Sequence, residues 1–167
     1  KWIQSAPAAT TLLTSSPSRA KSAERIEGAM RNVLDMPDSR IGRMPHPELR
    51  CSVKVSYLEE QSQPTAGVFA FAYSVTIVNS GDITAQLIAR HWTIVDALGH
   101  TEEVRGLAVL GHQPLLKPGE TFEYTSWTRI ATPQGTMRGT YLCMTEDAQP
   151  FEAAVPEFML ARPEQLH

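Results

Sequence analysis

The sequence predicts an all-β fold over residues 51–167, a two-sheet sandwich of fibronectin type III or immunoglobulin style. Three observations predict it. Apolar residues alternate with polar ones in successive runs of strand length. Turn residues separate those runs. No stretch in this region carries a helical stripe.

Each element has its own signal. Cys51, Val53, Val55 and Tyr57 alternate with Ser52, Lys54 and Ser56, the period of a strand with one buried face. Phe69, Phe71, Tyr73, Val75 and Ile77 alternate in the same way. Asn79-Ser80-Gly81-Asp82 is a turn. Leu87 to Val95 is the next strand, closed at Leu98-Gly99-His100. Glu102 and Glu103 stand side by side in a strand, so their side chains take opposite faces. Lys117-Pro118-Gly119-Glu120 puts Pro at i+1 and Gly at i+2, as a type II turn requires. Phe122 to Ile130 follows, then Gly135 to Thr145, turning at Glu146-Asp147. Phe151–Val155 and Phe158–Leu160 complete the sheets. Pro156 between them predicts an edge or bulged strand.

Composition narrows the function classes. The chain has 167 residues, 42% hydrophobic and 20% charged, which suits one ordinary domain with one core. No run approaches the roughly 18 apolar residues of a membrane helix, so no membrane partner is expected. Two cysteines exclude a disulfide scaffold. No four Cys or His residues stand at structural-zinc spacing.

Charge divides the chain. Residues 1–50 carry eight Lys/Arg and five Asp/Glu, and residues 51–167 carry seven and thirteen. The sequence therefore predicts an extended basic tail over 1–50, followed by an acidic domain over 51–167. Lys1 to Ala23 is rich in hydroxyls and free of acids. That is the composition of an organellar transit peptide or its remnant, with a solvated tail as the alternative. Ile26, Met30, Val33 and Leu34 fall on one stripe and predict a helix near 22–35 with a partner-docking face. Arg19, Lys21, Arg25, Arg31, Arg40 and Arg43 are the candidate RNA contacts.

The domain offers little chemistry. Neither a phosphate-binding Gly-rich loop ending in Lys-Ser/Thr nor a His-Glu-x-x-His pair nor a nucleophile elbow occurs. His91, His100 and His112 sit on separate elements, and no metal site is expected. Cys51 and Cys143 read as buried spectator thiols. No base is assignable to Ser126. The expectation is therefore a non-enzymatic protein with no cofactor and no small-molecule substrate. Arg105, Gly106 and Gly111 could form a weak anion-binding concavity. The alternative is a loop whose apolar middle packs on the sheet. Trp127 faces away from Phe122, Tyr124 and Ser126, and together with Arg90 it is a candidate partner contact. Trp92 reads as core.

Several blocks stand in order: Arg90-His91-Trp92, Asp96-Ala97-Leu98-Gly99, Glu102-Glu103-Val104-Arg105-Gly106, Gly111-His112-Gln113-Pro114-Leu115-Leu116-Lys117-Pro118-Gly119-Glu120 and Gly135-Thr136-Met137-Arg138-Gly139-Thr140-Tyr141. Together they resemble the ApaG domain across nearly all of 51–167. The resemblance implies a fibronectin type III-like sandwich and a non-enzymatic module, usually assigned to protein–protein interaction. Bacterial members often carry a Gly-x-Gly-x-x-Gly loop, linked to nucleotide or pyrophosphate binding. Here the matching positions are Gly106, Ala108 and Gly111, so the middle glycine is replaced. An alanine Cβ disfavours φ > 0 and close backbone approach.

The sequence reading therefore favours a structural or adaptor component of a mitochondrial ribosome or similar ribonucleoprotein, located in the matrix. Proteins of that assembly would contact the sandwich, and ribosomal RNA would contact residues 1–50. The alternatives are a free-standing protein-interaction module, cytoplasmic rather than mitochondrial, or a weak anion- or divalent-metal-binding ApaG protein.

Overall fold

The computed structural model of the chain describes residues 43–165. The predicted helix near 22–35 lies outside them, as do Arg19, Lys21, Arg25, Arg31 and Arg40.

Eight strands run in order: β1 Leu49–Tyr57, β2 Phe69–Asn79, β3 Ala85–Asp96, β4 Thr101–Leu107, β5 Leu115–Leu116, β6 Thr121–Ile130, β7 Gln134–Thr145 and β8 Pro150–Ala161. They form two antiparallel sheets. One has the order β1-β2-β6, and the other β4-β3-β7-β8, with β5 beside β3. Short 3-10 turns at Glu59–Gln61 and Pro64–Ala66 join β1 to β2, and a third, Pro163–Gln165, follows β8.

The alternating residues bury one face of each sheet. Phe71, Val75, Ile77, Leu87, Trp92, Tyr141, Cys143 and Leu160 fill the space between. Trp92 is 1% exposed, as its reading as core requires. It meets Tyr73, Tyr141 and Phe158 edge-on, with ring centroids 5.6, 5.9 and 6.1 Å away. Such geometry suits the ring quadrupoles. Gly139 makes the fit possible. A Cβ there would stand 2.4 Å from Cε3 of Trp92 and 2.7 Å from Cζ3.

Asn79 ties the first turn to the core. Its side chain is buried, and Nδ2 donates to the carbonyls of Ile83 (2.9 Å) and Leu116 (2.8 Å). Its Oδ1 accepts from the Gly81 N–H at 3.0 Å. A buried amide so fully bonded fixes loop position without a desolvation penalty. The Pro118-Gly119 turn forms as read. Gly119 has φ 83°, and Glu120 N–H donates to the Lys117 carbonyl at 2.9 Å.

Two strands depart from simple alternation. In β3, Leu87 pairs with Cys143 and Ala89 with Leu142, so Ile88 is an extra residue. This bulge reverses the facing of everything after it. Leu87 points inward before the bulge; Trp92 and Ile94 point inward after it. Arg90 shares their parity. In β8, Met137 faces Phe158 while Gly139 faces Val155. The strand therefore runs on through Pro156, with a bulge opposite Arg138, where a missing N–H is tolerated. β5 was not legible as a strand: two residues between turns carry no period.

Candidate functional site

The chemistry-bearing side chains gather where β4 and β6, each the edge of its sheet, border an open side of the sandwich. A cleft of about 240 Å³ enters there. Its floor is Tyr73, Trp92 and Met137, and its walls include Val104 of β4 and Tyr124 and Ser126 of β6.

Arg90 closes one end. The β3 bulge sends its side chain between the sheets, where it is half-buried. Its guanidinium lies flat against Gly106, the residue opposite it in register. A Cβ at Gly106 would be 3.5 Å from Cζ, Nη1 and Nη2 alike. Nη1 donates to the carbonyls of Leu107 (3.2 Å) and Ala108. No carboxylate pairs with Arg90 among the described residues. Glu102, which also lines the cleft, is four residues from Gly106 along β4, about 13 Å at strand rise.

The floor is neutral. Burial pushes the Tyr73 hydroxyl above the usual tyrosine range. Burial likewise raises Tyr124 and Tyr141, whose hydroxyls hydrogen-bond one another at 2.5 Å. Trp92 Nε1 is buried with no acceptor among the described residues.

The β4–β5 loop caps this end. Ala108 and Leu110 both adopt left-handed backbone, with φ 62° and 48°, followed by Gly111 at 79°. Ala108 thus adopts the left-handed backbone that a glycine would favour. Ala108 N–H donates to the Ile88 carbonyl at 2.8 Å, and Val109 and His112 exchange main-chain bonds of 2.8 and 2.9 Å. Val109 is buried in the core, so the loop's apolar middle packs on the sheet. Arg105 and Gly106 do not converge. Arg105 lies on the outer face and pairs with Glu103 at 3.0 Å, while Gly106 faces inward over Arg90.

Other candidate residues are dispersed. Trp127 is half-buried at the mouth of the cleft, with the Arg129 guanidinium 4.8 Å above its ring. Arg43 is exposed and outside any regular element. His91 lies 3.5 Å from Glu103, and His100 Nδ1 lies 3.0 Å from Asp96. No three His, Cys, Asp or Glu residues group as metal ligands among the described residues.

The outer face of the five-stranded sheet has a different character. Register places Leu107, Ala89, Leu142 and Glu152 in one row across it, and Leu115, Gln86, Met144 and Pro150 in the next. Leu107 is 75% exposed, Leu115 58% and Leu142 43%. A shallow groove of about 700 Å³ runs between Leu107 and Leu142. Sequence reasoning missed both this face and the cleft. The available signal was a parity conflict: Leu87 and Trp92 are both core-like in one strand, which only a bulge permits.

Fold and site thus define a fibronectin type III-like antiparallel sandwich with one cleft at its open edge. Comparison with known proteins narrows this. The ApaG domain matches residues 59–145. The chain is 58% identical over 120 residues to Protein ApaG of Ralstonia nicotianae, covering 72% of this chain and 97% of that protein. It is 53% identical over 120 residues to Protein ApaG of Bordetella pertussis, covering 72% and 92%. The crystal structure of the ApaA protein from Bordetella pertussis superposes with a TM-score of 0.70 at 52% identity, covering 71% of this chain and 97% of that one. The chain belongs to the ApaG family.

These relatives overturn the mitochondrial ribosome reading. They are bacterial ApaG proteins at high identity, and nothing in them points to a ribosomal subunit or an organelle. A basic, acid-poor leading segment is compositional evidence alone, and composition does not distinguish a transit peptide from other tails. The mitochondrial matrix location falls with it.

Proposed function

We propose that the domain is a free-standing, non-catalytic module that binds an extended segment of a partner protein along β4. The observation that carries this is the coincidence of a main-chain edge that is unpaired among the described residues with exposed Leu107, on the same face as Leu142 and Leu115. An open strand edge offers unpaired N–H and C=O groups to another strand, and neighbouring apolar side chains select its residues. The groove between Leu107 and Leu142 would take the partner's alternate side chains.

A photo-reactive residue at position 107 tests this. It should form one discrete adduct with a partner protein, lost with Leu142→Glu and absent when the probe replaces Lys54 on the other sheet. A peptide from the captured segment should then slow amide exchange in β4. Equal labelling at both positions, or an adduct of twice the chain mass alone, would overturn the reading.

A further inference from the structure

We infer that the cleft between β4 and β6 is a binding site for a small planar carboxylate, recognised by Arg90 and the Trp92 indole N–H. The cleft opens between the sheets and shares only Arg90 and Leu107 with the outer groove proposed to bind a protein segment.

Three observations carry the inference. The first is the state of Arg90. The residue is half-buried, and among the described residues only Nη1 has acceptors, both of them carbonyls of the capping loop. Its Nε and Nη2 donors and its charge are left without a protein counterpart there. A half-buried cation bonded to fixed dipoles gains more from an anion than a fully exposed one does.

The second is Trp92. Its Nε1 donor is buried and lacks an acceptor. Its orientation follows from Gly139. The Cε3–Cζ3 edge of the indole sits over that residue of β7. Nε1 is on the opposite side of the ring system and therefore turns toward β4, where Val104 is opposite Trp92 and the cleft lies. A buried donor without a partner is uncommon and needs a reason. An acceptor drawn into the cleft, with a small shift of the side chains that cover Nε1, supplies one.

The third is the cleft's composition. Arg90 and Trp92 supply donors, and Tyr73, Val104 and Tyr124 supply flat or apolar walls. The only carboxylate lining it, Glu102, is about 13 Å along β4 from the Arg90 position. A volume of about 240 Å³ falls just below that of drug-sized pockets, so the ligand is small. The flat guanidinium fork matches a carboxylate. A single cation with no lysine beside it is poorly matched to a multiply charged phosphate. An aromatic or unsaturated body attached to the carboxylate would fill the space between the sheets.

The experiment uses benzoate as probe, with benzyl alcohol as its neutral counterpart. The whole ¹⁵N-labelled chain is titrated with each and the indole N–H signals are followed. Benzoate at millimolar concentration should shift the Trp92 signal saturably, and benzyl alcohol should not. Arg90→Gln retains a donor for the loop carbonyls but removes the charge, and should weaken benzoate at least tenfold. Val104→Trp fills the cleft and should abolish the shift without touching Arg90. Absence of a saturable shift, an equal response to benzyl alcohol, or binding indifferent to Val104→Trp would each overturn the inference. If Arg90→Gln does not fold, the filled-cleft variant decides alone.

Discussion

Two hairpins of this sandwich are built alike but with different residues at the same critical position, and exchanging them is a sharp test of backbone strain. In the β3–β4 turn, Asp96 N–H donates to the His100 carbonyl and Gly99 N–H to the Asp96 carbonyl, each at 3.0 Å. In the β7–β8 turn, Thr145 N–H donates to Gln149 (2.9 Å) and Ala148 N–H to Thr145 (3.0 Å). Both are three-residue hairpin loops whose last residue is left-handed. Gly99 has φ 85° and Ala148 has φ 62°. An L-residue pays about 1–2 kcal/mol for that conformation, and glycine gives back about 0.5–1 kcal/mol in unfolded-chain entropy. Ala148 is exposed, so little packing is lost with its methyl group. Ala148→Gly should therefore stabilise the protein by roughly 0.5–1 kcal/mol. In a chain of this size that raises Tm by roughly 1–4 °C. Gly99→Ala should lower Tm by a similar amount, since a Cβ at 99 meets nothing within 4 Å and only φ is at issue. The turns are at opposite ends of β3, roughly 35 Å apart by strand rise. The double exchange should therefore return Tm to the parent value. Differential scanning calorimetry on the four proteins is the assay. A lower Tm for Ala148→Gly, or a Gly99→Ala protein as stable as the parent, would refute the strain argument.

Three further outcomes follow from the core and its rim. Gly139→Ala drives a methyl group into the Trp92 ring edge, 2.4 Å from Cε3, and should destabilise the domain by at least about 1–3 kcal/mol in urea unfolding. Burial raises the Asp96 carboxyl, but the His100 N–H and ring and the Leu98 N–H outweigh it and hold the group below the usual aspartate value. A depressed folded-state pKa contributes stability above the unfolded value near 3.9, and that contribution is lost as pH falls through the folded one. Asp96→Asn should thus lower stability at neutral pH and flatten its decline in acid, read from unfolding midpoints across pH 2–7. Burial pushes the Cys51 thiol up to about 11 and the Cys143 thiol up to about 12. Neither should react with a thiol reagent at neutral pH until denaturant is added, and rapid labelling of either in the native protein would contradict that burial.

Most of the fold was legible because a half-buried strand writes its facing into every second residue. β1, β2, β6 and β7 were readable in this way, and Gly119 and Gly99 announced their turns. The bulges were not. Ile88 is an ordinary strand residue, and nothing about it alone shows that it lacks a counterpart on β7. Yet that one residue turns Arg90 inward and so creates the charged end of the cleft. Pro156 did signal irregularity, but the period could not show that pairing resumes beyond it. The exposed face of Leu107, Leu115 and Leu142 was hidden for another reason. Three leucines from three strands become neighbours only through register.

The capping loop shows how far a glycine pattern can be trusted as a reading of shape. Ala108 in place of glycine suggests a loop that has abandoned the left-handed conformation, yet φ there is 62°. Local preference is outweighed by neighbours. Ala108 donates to Ile88 and accepts from Arg90, and the next residue, Val109, is locked into the core. Hydrogen bonds to a charged donor are each worth about 1.5–3 kcal/mol, against about 1–2 kcal/mol for the alanine's strain. What the substitution changes is the identity of the residues that hold the loop. With glycine at 108 the conformation would cost little by itself. With alanine it depends on Arg90, which also forms the end of the cleft. Arg90 thus couples loop shape to whatever occupies the space between the sheets. Removing its charge should loosen the loop more than it disturbs either sheet, seen as faster amide exchange at Ala108 with β2 and β7 unchanged. Equal protection at Ala108 in Arg90→Gln would show that the Ile88 bond and the buried Val109 hold the loop without it.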